Sequence, residues 1–203
     1  MARRIRRSPK DSCVACRKPL EMPGAVWSGE RGPLCPPCHN DSIARQMGLR
    51  FDNARLDPVT MEDHARRPHT FQIVSHLVPT GHAMKAIEVG VAEGYEFAVL
   101  GDFEEDALVL CARLCEVIRA GLARRSLDPM PDGAQVLAKQ AVARITCAAQ
   151  TYEPLVVIDG RAFTWEEFGR MILTYEGWTL AMSFADGIEF AVGPHGRSPR
   201  LGA

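Results

Sequence analysis

Two cysteine pairs stand near the start of the chain: Cys13 and Cys16 in "CVAC", and Cys35 and Cys38 in "LCPPCHN". Alone, Cys35-Pro36-Pro37-Cys38-His39 permits three chemistries: c-type haem attachment, a redox dithiol, or half of a zinc site. Together the pairs read C-x2-C, eighteen residues, C-x2-C, a spacing that fits a four-thiolate zinc site. Each C-x-x-C knuckle offers two thiolates, and two knuckles close a tetrahedral shell. Haem attachment would leave Cys13 and Cys16 without a role and needs an oxidising assembly route. A redox dithiol belongs to a strand–helix unit of a larger fold, which the 34 residues ahead of Cys35 cannot supply. The reading is one structural Zn²⁺ held by Cys13, Cys16, Cys35 and Cys38. A shell of four cysteines leaves no position for water and gives the metal no catalytic part. His39 is expected to hydrogen-bond a sulfur rather than to replace a ligand. Arg17 and Lys18 stand beside the first knuckle to offset the negative charge of four thiolates around a divalent ion.

The elements that must position these thiols are legible. Between the pairs, "AVW", "SGERG" and "PLC" suit a strand, a turn and a return strand. After Cys38, Asn40 or Asp41 is expected to cap a helix that Gly48 ends, so the second pair lies at a helix N-terminus. Unpaired N–H groups and the helix dipole favour thiolates there. Knuckle, hairpin, then a ligand pair opening a helix is the arrangement of treble-clef and zinc-ribbon modules.

The predicted organisation is a basic disordered tail (1–11), the zinc module (12–50), a linker (51–68) with one helical turn around Thr60–Arg66, an α+β domain (69–192) and a disordered tail (193–203). In the α+β domain "FQIVSHLV", "MKAIEVG" and "YEFAVLG" read as successive strands of a mainly antiparallel sheet. The first of two main helices follows, capped by Asp102, with a stripe at 107, 108, 111, 114, 115, 118 and 122. Cys111 and Cys115 on that stripe, and Cys147, are expected to pack as small apolar side chains. "AQVLAKQAVARIT" fits a helix, or a helix turning into a strand. "PLVVIDGRAFT" reads as a hairpin around Asp159-Gly160. Thr164 and Glu167 form a capping box for the second helix, which buries Trp165, Phe168, Ile172 and Tyr175 and ends at Gly177. Gly169 within it is expected to admit another backbone. "WTLAMSFA" reads as a final strand. His64 and His69 are expected in solvent.

At 203 residues, 46% apolar and 24% charged, the chain has ordinary globular composition and does not need a metal to supply its main core. No apolar run approaches the roughly 18 residues of a membrane span. "MARRIRRSPK" is basic without an apolar stretch after it, which does not fit a secretory signal. These readings lead to an expected cytoplasmic location and no membrane partner. Charge is uneven: residues 1–50 hold ten Lys/Arg against four Asp/Glu, net +6, and the remainder fourteen against twenty-one, net −7. Arg3, Arg4, Arg6, Arg7, Lys10, Arg17 and Lys18 form a basic head of the kind that contacts phosphates without reading sequence. The competing reading is metal compensation and tail solvation.

No catalytic residue is assigned. Asp159, Glu166 and Glu167 each have a structural role, in a turn, a first helical turn and a cap. The glycines form neither a P-loop nor a dinucleotide turn. His76 and His82 flank "LVPTG" and would serve an enzyme only if they converged with the Asp159 region on one pocket.

"PTGHAMKAIEV", "GYEFAVLGDFEED" and above all "VVIDGRAFTWEEFGRMILTYEGW" resemble an uncharacterised bacterial domain-of-unknown-function family, whose members often carry a four-cysteine zinc module ahead of the domain. The likeness covers roughly residues 13–185 and is strongest over 155–178. It implies a compact α+β domain in a bacterial cytosol and brings no activity. The leading expectation is a non-enzymatic zinc-containing binding or adaptor protein with nucleic acid as the first partner to test and a protein partner close behind. The alternatives are an enzyme with a pocket in 69–192, and a subunit of a larger complex that exposes an apolar patch on that domain.

Overall fold

A computed structural model describes residues 12–20, 25–27, 32–129, 135–148 and 151–187. The expected terminal tails, 1–11 and 193–203, lie outside the described residues.

The head is built as its sequence suggests. Strands β1 (Val26–Trp27) and β2 (Pro33–Leu34) pair antiparallel and lead into helix α1 (Pro36–Met47). The helix starts earlier than expected: Cys35 is its N-cap, and Asn40 and Asp41 lie inside it. Pro36 and Pro37 explain the shift, because first-turn positions need no N–H and a fixed φ suits them. Gly48 ends α1 in the left-handed region, as expected.

Strands β3 (Val59–Glu62), β4 (Pro68–Val78), β5 (Gly81–Glu88) and β6 (Glu96–Gly101) form an antiparallel meander in that order. The supposed linker 51–68 therefore carries a strand, and Thr60–Arg66 is strand and turn rather than a helical turn. Helix α2 (Ala107–Leu122) lies on the face bearing Phe71, Ile73, Met84, Ala86 and Val99, and buries Leu110, Leu114, Ile118 and Leu122 against them. Burying each such side chain is worth about 1.5–3 kcal/mol. Asp106, not Asp102, caps α2, accepting from the backbone N–H groups of Leu108 and Val109. The expected stripe is correct at 107, 111, 114, 118 and 122, misses Leu110, and wrongly includes Leu108, which is 70% exposed. "ALVLCA" is apolar all round, so only the charged residues downstream fix the phase of the helix. Cys111 packs against this core.

A second, smaller unit follows. Strands β7 (Leu127–Pro129) and β8 (Gln135–Leu137) pair, and β9 (Arg144–Cys147), β10 (Pro154–Ile158) and β11 (Arg161–Thr164) form a sheet in the order β11-β10-β9. "AQVLAKQAVARIT" thus contributes two short strands and no helix among its described residues. The β10–β11 turn is as expected, with positive φ at Asp159 and Gly160. Gly160 is needed twice over, since a Cβ there would also meet the Tyr95 ring at 2.4 Å. Helix α3 (Trp165–Ile172) has the full Thr164–Glu167 capping box and continues into a 3₁₀ turn (Leu173–Tyr175). Its Phe168, Met171 and Ile172, with Tyr175, pack on Leu127, Leu137, Val156 and Ile158.

Four expectations fail in this unit. Trp165 is 58% exposed, because it sits at the first helical position and touches Phe168 rather than the sheet. Gly169 faces open space and admits no backbone. Cys147 is exposed, because β9 is an edge strand. "WTLAMSFA" forms no strand, having no neighbour to pair with among the described residues.

Candidate metal centre

The first knuckle is a tight turn in which the Arg17 N–H donates to the Cys13 carbonyl and the Cys13 N–H to the Lys18 carbonyl, both at 2.9 Å. Arg17 takes a positive φ to close it. Val14 N–H donates to the Pro33 carbonyl and ties this knuckle to β2. The second pair occupies the N-cap and first turn of α1. The four Sγ atoms lie within 4.8 Å of one another, with Cys16 and Cys35 at 3.7 Å. Tetrahedral Zn–S bonds of 2.3 Å would place sulfurs about 3.8 Å apart, so small movements bring the quartet to a metal shell. The four cysteines could hold a metal ion, and among the described residues they are the cluster that converges in this way.

Electrostatics favour a cation here. Burial opposes the Cys13 thiolate, but the N–H groups of Cys16, Cys35 and Ala15 and the Cys16 thiol outweigh it and bring its pKa down to about 6. Cys38 is pushed far up by burial and by the other three thiols, and Cys35 rises mainly through burial. Four thiols in one place cannot all ionise without a positive charge among them.

The head is fastened to the body. β3 pairs with β4 only as far as Phe71, which leaves the edge of β4 open beyond that point. Asn40, 1% exposed on α1, fills the gap: its side-chain amide donates to the Ser75 carbonyl (3.0 Å) and accepts from the Leu77 N–H (2.8 Å). One side chain thus replaces a neighbouring strand. His39 Nε2 donates to the Leu77 carbonyl (3.1 Å), so its expected bond to a sulfur is replaced by one to the sheet edge. Asn53 accepts from Asn40 and donates to Asp41.

A second polar cluster was not legible. His69, expected in solvent, lies between two buried carboxylates: Nδ1 is 2.6 Å from Glu88 and Nε2 is 3.3 Å from Asp63. The Asp63 contact lacks hydrogen-bond alignment. Asp63 also accepts from the N–H groups of Ala65 and Arg67, and Glu88 from that of Tyr95. The two carboxylates lie against different ring nitrogens, so the group bridges β3, β4 and β5 rather than chelating an ion. An Asp that opens a turn was the available signal, and nothing local pointed to Glu88. His64 is exposed, as expected.

The residues proposed for an enzyme pocket do not converge. His76 and His82 project from opposite faces of the sheet. Asp159 accepts from the N–H groups of Ser126 and Leu127. Glu166 pairs with Arg170 and Glu167 caps α3. His82 is 2% exposed, and its Nε2 lies 2.5 Å from the Ser75 hydroxyl. Arg17 and Lys18 are exposed beside the first knuckle, and Arg3, Arg4, Arg6, Arg7 and Lys10 lie outside the described residues.

Two of these groups set a pH dependence of one sign. Burial lowers the His82 pKa, with the Glu105 backbone and carboxylate pulling the other way. Burial opposes the Asp63 carboxylate, but the N–H groups of Arg67 and Ala65 and the contact with His69 outweigh it and lower its pKa. In both cases the unfolded chain takes up protons first as pH falls. Stability is therefore full at high pH and is lost first below the ordinary histidine value of about 6.5, then again in the carboxylate range near about 3.9. Urea denaturation will show the first decline between about pH 7 and 5, and His82→Gln will flatten it. An unchanged slope in that variant would show that another group is responsible.

With this geometry in place, the similarities of the chain can be stated. Residues 52–123 match a domain of unknown function, DUF7686, and residues 126–189 match another, DUF7713. No curated protein and no solved structure matches. The two matches correspond to the α2 core and the α3 core, and they meet within the stretch 69–192 that the sequence suggested as one domain. The cysteine head lies outside both. No described helix is long and apolar enough to cross a membrane.

Proposed function

We propose that the four cysteines hold one structural Zn²⁺ and that the chain is a non-enzymatic binding or adaptor protein whose head contacts nucleic acid. The convergence of four thiols, with no fifth donor among the described residues, carries this reading, because a shell filled by cysteine has no open position for substrate. Arg17 and Lys18 beside the knuckle, continuous in sequence with Arg3, Arg4, Arg6, Arg7 and Lys10, supply the phosphate contacts. Asn40 and His39 fasten the head, with Arg17 and Lys18 on it, to a folded body.

The test is fluorescence anisotropy of the zinc-loaded full chain with random duplex and single-stranded DNA and RNA at two salt concentrations. Arg17→Glu/Lys18→Glu and an alanine replacement of Arg3, Arg4, Arg6 and Arg7 serve as variants. Deleting residues 1–50 would remove Asn40 and disturb the body, so point changes are the cleaner choice. Salt-sensitive binding that both variants weaken supports the reading. Binding absent at low salt would leave the cations to compensate the metal, and the adaptor role would then be toward protein.

A further inference from the structure

Residues 177–185, "GWTLAMSFA", carry no charge, and their large apolar residues fall at every second position. Trp178, Leu180, Met182 and Phe184 are 64, 58, 62 and 79% exposed. Between Thr179 and Ala185 the chain has neither helix nor strand. Trp178 is tied to Tyr175 by its N–H and its ring, but from Thr179 on the run has one apolar side and no backbone partner among the described residues, and a β-sheet edge satisfies both at once.

The same unit offers such an edge. β9 is the outer strand of the β11-β10-β9 sheet. Ile145 on β9 stands directly opposite Val156 of β10, which in turn stands opposite Phe163 of β11, so the three share one face. That face is the inward one: Val156 is 3% exposed, and Phe163 packs on the small core. Helix α3 covers it over β10, β11 and β8. Over β9, Ile145 is 58% exposed although it points to the core side. On the opposite face, Arg144 and Thr146 are held by Glu96, Gly94 and Glu93, so β9 is fixed in place and has no second neighbouring strand among the described residues.

We propose that residues 178–185 pair as a fourth strand with β9 of a second copy of this chain, in a reciprocal dimer, with their apolar side chains covering Ile145. The second copy is the occupant because the donor strand and the incomplete edge are both present in each chain. Two such strands, four large side chains each, would bury on the order of 1,000 Å², the level a specific interface must reach. The inference goes beyond the metal and nucleic-acid reading, since it uses no residue of the head.

Sedimentation velocity on the zinc-loaded full chain at micromolar concentration tests it, with circular dichroism to confirm folding. The wild type should sediment as a dimer. Leu180→Lys and Ile145→Lys should each yield folded monomers, with at least a tenfold weaker dimer. A monomeric wild type overturns the proposal, because the segment then remains alone or pairs within its own chain. A dimer that survives either substitution overturns it too, because the contact is then elsewhere. Should Leu180→Lys fail to fold, Met182→Lys probes the same strand two residues on.

Discussion

Replacing Cys35 by alanine, or stripping the metal with a strong chelator, will unfold residues 12–48 and loosen the body at one defined place. Structural zinc in small modules contributes roughly 10–16 kcal/mol of apparent binding free energy, and the head has little else to hold it. Its strands are two residues long, and Asn40 and Ala44 are the buried residues of α1. The wild-type protein is expected to hold one zinc per chain. Because the main core needs no metal, composition alone implies that the body would ignore loss of the head. The Asn40 contact changes that expectation, because the Ser75 carbonyl and Leu77 N–H then lose their partners, and an orphaned buried polar group costs about 1–3 kcal/mol. Hydrogen exchange will show the Leu77 amide exposed in Cys35→Ala while Leu114 on α2 stays protected. Asn40→Ala should reproduce the loss at Leu77 with the zinc retained. Wild-type protein that is metal-free yet folded through residues 12–48 would refute the zinc assignment.

His69→Ala should lower the stability of the body by about 2–3 kcal/mol, the usual cost of leaving buried groups without a hydrogen-bond partner. Asp63 and Glu88 are each 8% exposed, and without the imidazole two carboxylates would face one another across a small gap. Since whole domains are stable by only about 5–15 kcal/mol, the variant will be marginal at ambient temperature. The midpoint of urea denaturation measures the loss. His69→Gln, which can still donate to one carboxylate, should fall between the variant and the wild type. A cost below about 1 kcal/mol would show that backbone N–H groups alone satisfy Asp63 and Glu88.

The features legible in the sequence depend on neighbours within a few residues. The cysteine spacing, the Gly48 stop, the Asp159-Gly160 turn and the Thr164–Glu167 box are each fixed by local geometry, and each appears where expected. Features that failed depend on distant partners. Thr60–Arg66 gave no helical signal strong enough to resist pairing of 59–62 with β4, and His69 acquired its carboxylates from β5 and from the turn after β3. Asn40 looked like a cap because caps and strand mimics use the same amide, and only the position of Ser75 and Leu77 distinguishes them. "WTLAMSFA" has strand composition, but a strand also requires an edge to lie on, and sequence pattern cannot say whose.

Asn40 also bears on the order of assembly during synthesis. All four cysteines are incorporated by residue 38, so the proposed metal shell would close over a short, local stretch of chain. The groups that Asn40 binds on β4 arrive 35 and 37 residues later. The body therefore grows toward a head that is already formed, and the first strand of the long hairpin finds one edge waiting for it. On the proposed metal site, a cell short of metal would make the same polypeptide with β4 lacking its Asn40 partner, so the earliest consequence of scarcity would fall on newly made chains.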